Sequence, residues 1–129
     1  MGMNSADVTA GTNALASHYN NLRKDVRNAI KDPQTDNSGA FDLSTGAIQV
    51  RTLDGSNGTL SFTNPTAGQT FIVILKQDGG GGRTVTWPTI KWVNATTPTL
   101  TSTASRADIF AFFYDGTDYY GSIVGQNFG

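Results

Sequence analysis

The spacing of apolar positions changes once along this 129-residue chain. Between Thr12 and Lys31, the residues Leu15, Tyr19, Leu22, Val26 and Ala29 recur at steps of four, three, four and three, which predicts one amphipathic helix. Thr12 or Asn13 can cap its start, and Asp32 ends it because a residue before proline avoids the α region. The stripe is a seam of about two heptads. It fits either a helix lying on the sheet of its own chain or a short self-associating bundle, in which Arg23 and Asp25 would flank the seam.

After a polar stretch the period falls to two. Ile48 and Val50 alternate with Gln49 and Arg51, DGSNG (54–58) supplies a turn, and Leu60 and Phe62 share a face. Phe71 to Leu75 is a β-branched apolar run too short for a helix and reads as a central strand. Further short runs lead to a last pair, ADIFAFFYD (107–115) and DYYGSIVG (118–125), joined at Asp115-Gly116-Thr117-Asp118. Some eight strands with no helical pattern between them predict a mainly β fold: an N-terminal α-helix followed by a compact antiparallel β-sandwich or barrel. The expected organisation is an arm and helix over 1–31, a linker over 32–40 and the β domain over 41–129.

Composition agrees with this pattern. All ten acidic residues are Asp, and Gly, Thr, Asn and Ser are abundant, which is the vocabulary of turns and strands. A formal net charge of -1, with 15% of residues charged, provides no field for nucleic acid or an anionic membrane. The basic cluster Arg23, Lys24, Arg27 and Lys31 reads as a solvated helix end complementing the macrodipole. With no Cys there are no disulfides or thiolate metal sites. No apolar run approaches the roughly 20 residues of a membrane span, and the N-terminus lacks a basic start and apolar core, so a soluble, unprocessed chain is expected.

The four glycines Gly79 to Gly82 raise the question of a phosphate loop. Such a loop needs a Lys-Ser/Thr and a following helix, so that backbone N–H groups and the ammonium hold the phosphates. Here the run leads into Arg83-Thr84-Val85-Thr86-Trp87-Pro88, a poor helix start. The expected structure is a hairpin whose tip carries no chemistry. His18 is the one histidine and can belong to no ligand set, and Asp115 and Asp118 suit a tight turn better than an acid–base pair. No catalytic residue, cofactor site or metal site is expected, and the chain reads as a non-enzyme. The aromatics crowd the last third. Phe110 and Phe112 should point to one side of their strand and Phe113 to the other, with a core on one side and a subunit or helix on the other. Exposed Trp87, Trp92, Tyr119 or Tyr120 could stack on a sugar ring.

Several short elements in fixed order carry a resemblance. They are Gly68-Gln69-Thr70-Phe71, Thr84-Val85-Thr86-Trp87-Pro88, Lys91-Trp92, Pro98-Thr99-Leu100, Asp108-Ile109-Phe110, and Tyr114-Asp115-Gly116-Thr117 followed by Tyr119-Tyr120-Gly121. In this order they resemble a segment near the ends of tailed-bacteriophage tail-fibre and related virion structural proteins. The Ala14-Leu15 to Ala29-Ile30 helix resembles helices at the start of phage structural proteins. The resemblance implies a non-enzymatic β-rich module of the virion, a homo-oligomer (a trimer) in contact with other virion proteins; the low charge and the lack of a long apolar run leave no nucleic-acid or membrane partner expected. The absence of a long repetitive shaft favours a short component such as a tail-tip, neck or capsid-surface protein. Leu15, Tyr19, Leu22, Val26, Phe110, Phe112 and Phe113 are the expected assembly residues. The alternative is a lectin-like module at a fibre tip, binding a host-surface glycan through Trp87, Trp92, Tyr119 and Tyr120.

Overall fold

A computed structural model describes residues 34–35, 37 and 40–129. The expected arm and helix over 1–31, with Leu15, His18, Tyr19, Leu22 and Val26, lie outside the described residues. The described chain is mainly β. Its strands are β1 (Gln34–Thr35), β2 (Phe41–Asp42), β3 (Ile48–Leu53), β4 (Phe62–Thr63), β5 (Thr70–Gln77), β6 (Lys91–Trp92), β7 (Ala107–Tyr114) and β8 (Tyr119–Phe128). Thus β1 arises within the stretch read as a linker.

Six strands form one sheet in the order β1-β3-β5-β7-β8-β6, and β2 pairs with β4 in a second, two-stranded sheet. The expected antiparallel arrangement is corrected here to a mixed one. β1 with β3, β3 with β5, and β6 with β8 are parallel, whereas β5–β7 and β7–β8 are antiparallel. The cause lies in the connections. Residues 54–69 carry the chain from the end of β3 back to the start of β5, a crossover that parallel pairing demands. Such crossovers usually announce themselves as helices, but this one is built from turns and β4.

One face of the large sheet holds the core. Phe71, Val73 and Leu75 of β5 and Phe110 and Phe112 of β7 meet Phe41, Leu43 and Leu60 from the short strands and their flanks. Phe62, Trp87, Trp92 and Tyr119 complete this layer. Each large side chain so buried contributes roughly 1.5–3 kcal/mol. Strand β3 inverts the arrangement that its composition suggests: Gln49 and Arg51 face the core and are fully buried, while Ile48 and Val50 face the other side. The polar pair is accommodated by bonding. Gln49 Nε2 donates to the carbonyls of Asp42 (3.0 Å) and Gly46 (2.9 Å). The Arg51 guanidinium lies 4.1 Å from the Phe41 ring centre and donates to the Asn57 carbonyl.

The glycine run is not the tip of a hairpin. β5 pairs with β7, and Thr84–Trp87 makes only one bridge, between Thr86 and Thr59. Instead the run is docked. Gly82 N–H donates to the Ser102 carbonyl at 2.7 Å, Gly81 sits at φ 64°, and a Cβ at Gly81 would lie 2.7 Å from Ser102 O. Asp78 holds the loop by accepting from Gly80 N–H (3.1 Å) and from Arg83 Nη2 (2.9 Å). Gly81→Ala is therefore expected to cost about 2 kcal/mol through combined backbone strain and overlap, and Gly79→Ala, which meets open space, almost nothing. Urea unfolding of the two variants measures the difference.

Candidate assembly surface

The hairpin β7–β8 forms where the sequence places it. Asp115 Oδ1 accepts from the backbone N–H groups of Thr117 (2.8 Å) and Asp118 (2.7 Å), and Gly116 takes φ 104°. These bonds hold the Asp115 carboxyl below its ordinary range, the Asp118 N–H contributing most. Alternation along β7 then separates the phenylalanines as expected. Phe110 and Phe112 enter the core, while Phe113 emerges on the opposite face, 40% exposed.

Of the three phenylalanines read as assembly residues, only Phe113 presents surface. The rings of Phe62, Phe71, Trp87 and Trp92 lie around Phe112, with centroids 5.1 to 5.7 Å away. Phe110 is fully buried beneath Trp87 at 4.9 Å.

The four candidate stacking residues divide in the same way. Trp87 is wedged among Trp92, Phe110 and Phe112, and its buried Nε1 meets no hydrogen-bond acceptor. Tyr119 joins the core layer beside Phe62 at 5.1 Å. Trp92 is half-buried over Gly121, where a Cβ would lie 2.8 Å from both the Trp92 and Phe112 rings. Only Tyr120 is open. Its ring lies 6.3 Å from that of Phe113, and its hydroxyl donates to Asp115 Oδ2 at 3.0 Å, which raises the phenol above its usual range. Next to it Lys91 Nζ donates to Asp118 Oδ2 at 2.8 Å, a bond that raises the ammonium's pKa.

Lys91, Phe113 and Tyr120 border a concavity of about 680 Å³ on the face away from the core. Its floor includes Ile48, Ile72 and Ala111, and its rim Trp92, Val93, Phe113 and Tyr120. The apolar rim continues along β8. Two-residue β6 pairs only with Tyr120 and Gly121, so Ser122–Phe128 has no outer strand neighbour among the described residues. The register skips Val124, because Phe110 faces Ile123 and Ile109 faces Gly125. Such a bulge breaks alternation. Ile123 and Val124 are accordingly both exposed, as are Val93 and Phe128. Sequence reasoning passed over these four; the one available signal was the uncharged apolar end Ser122–Phe128. Among the described residues no three of His, Cys, Asp and Glu gather as a metal site, and no helix is long and apolar enough to cross a membrane.

A family model described as "Putative phage tail fibre C-terminal domain" matches residues 42–119, more than half of the chain. The chain belongs to this tail-fibre family. It is a component of the virion. The matched part of this tail-fibre domain runs from the second residue of β2 to the first of β8 and so contains the aromatic core apart from Phe41, whereas Tyr120 and the exposed end of β8 follow it. No curated protein and no solved structure gives a match.

Proposed function

We propose that this tail-fibre domain is a structural module of the phage particle that joins copies of itself, as a homotrimer, and neighbouring virion proteins through the apolar rim formed by β7, β8 and the end of β6. One observation carries the reading. Phe113, Tyr120, Val93, Ile123, Val124 and Phe128 are each 40–59% exposed, and all six belong to β7, β8 or the residue that follows β6. Exposed apolar side chains beside an uncharged open strand edge are what subunit contacts bury, and what a solitary protein guards with charge or proline. Membership of a tail-fibre family supports a structural role in place of catalysis.

Light scattering at two concentrations and two salt strengths tests this. The expected mass is three times 13.7 kDa, little changed by salt because the contact is apolar. Phe113→Asp combined with Val124→Asp should reduce it to a single chain while circular dichroism keeps the β signal. A wild-type chain that stays monomeric at both concentrations would overturn the proposal.

A further inference from the structure

The second face of the six-stranded sheet is apolar in its own right. The register aligns Ile48 of β3, Ile72 of β5 and Ala111 of β7 in one row, and Val50, Ile74 and Ile109 in the next. All six are half-buried, and none belongs to the core cluster on the other face. β3 turns Ile48 and Val50 to this side and buries Gln49 and Arg51, with Leu53, on the other. A sheet buried on both faces has this composition.

The way the chain enters the fold indicates what lies on this face. β1 runs parallel to β3 with Gln34 beside Gln49, so β1 begins at the end of the sheet where Ala47 and Ile48 line the concavity. β1 is held in this place from its far end, beside the end of β3, where Asn37 Oδ1 accepts from Thr52 N–H at 2.8 Å and its carbonyl from Asn57 Nδ2 at 2.9 Å. Only Asp32 and Pro33 separate β1 from the 12–31 stretch with its apolar stripe. Twenty residues in helical form extend about 30 Å, and the four strand spacings from β1 to β8 amount to about 19 Å. The stretch is long enough to cross the sheet, and its tether is too short for it to travel far.

We propose that residues 12–31 of the same chain cover this second face, with Leu15, Tyr19, Leu22 and Val26 set against the rows of Ile48 and Val50. The stripe is then a core element of each subunit, and subunits meet through the outer rim of β8. This goes beyond the assembly reading and stands or falls separately from it.

The chain has no cysteine, so introduced thiols report unambiguously. In the full-length chain, Leu22→Cys is combined in turn with Ile72→Cys, Ile74→Cys and Ala111→Cys, and with Thr103→Cys as a control, then oxidised with copper phenanthroline. A disulfide requires Cα atoms within about 7 Å. The expected result is loss of both thiols in at least one of the first three pairs, with the mass of one chain on a non-reducing denaturing gel and free thiols in the control. Two-chain products from Leu22→Cys alone would mean that stripe meets stripe. Two-chain products confined to the double variants would mean that a second copy supplies the segment. Free thiols throughout, with an unchanged β signal, would mean that it lies elsewhere. Any of these three overturns the proposal, and none depends on the scattering mass that tests assembly.

Discussion

Phe112→Ala is expected to destabilise the protein by about 4 kcal/mol, whereas Phe113→Ala, one residue away, should change stability by less than about 0.5 kcal/mol. Phe112 is 3% exposed and touches four other rings, so its removal leaves a cavity walled by stiff aromatics that collapse poorly. Phe113 lies on the opposite face with 40% of its surface open. Its loss should instead register as weakened association. Against a total stability of roughly 5–15 kcal/mol, the first change removes a large fraction. Urea unfolding followed by tryptophan fluorescence reads it directly, because Trp87 and Trp92 flank Phe112. Similar midpoints for the two variants would show that β7 does not present its residues in this alternation.

The second large effect is expected at Asp108, a carboxylate 2% exposed. Burial raises its pKa, but hydrogen bonds outweigh that and hold it below 3.8. Oδ2 accepts from Thr101 N–H at 2.7 Å and from Gln126 Nε2 at 3.0 Å, and Oδ1 from Asn127 N–H at 2.9 Å. One side chain thereby fastens the loop before β7 and the end of β8. Asp108→Asn places an NH2 group against one set of these donors and should cost about 3 kcal/mol, close to the effect of Ala. The pH dependence has a definite sign. Because the folded-state pKa is depressed, the stabilisation is complete above the unfolded value near 3.8 and disappears as pH falls through the lower folded value. Asp42, Asp54, Asp78 and Asp115 are lowered too, but all four reach solvent, Asp54 and Asp115 most fully, and screening makes their contributions small. Wild type should therefore lose stability below about pH 4, and the Asn variant should lose less over the same interval. An Asn variant as stable as wild type at pH 7 would remove Asp108 from this role.

Strands β5, β7 and β8 were legible because local chemistry dictates them. Phe71 to Leu75 is too short and too β-branched for a helix, and Asp115-Gly116 closes a hairpin by bonds within four residues. The candidate surface was half legible: alternation alone sends Phe113 away from Phe110 and Phe112. It could not reveal that Trp87 and Tyr119 are enclosed, because the rings enclosing them come from distant parts of the chain. Nor could it reveal Val124, whose exposure comes from a register skip against β7.

What the amino-acid order determined by itself was the class of structure: short strands, turn chemistry at Asp and Gly, an apolar stripe before Pro33, and the two-sided character of β7. These follow from periodicity and backbone preference, which act over a few residues. Tertiary structure alone decided the direction of each pairing, the face to which β3 turns, and the role of the glycine run. Each of these rests on a partner far away in the chain. The 54–69 crossover makes β3 and β5 parallel, Phe41 and the Asp42 and Gly46 carbonyls make burial of Arg51 and Gln49 tolerable, and Ser102 draws Gly81 and Gly82 down from a free tip to a docked loop.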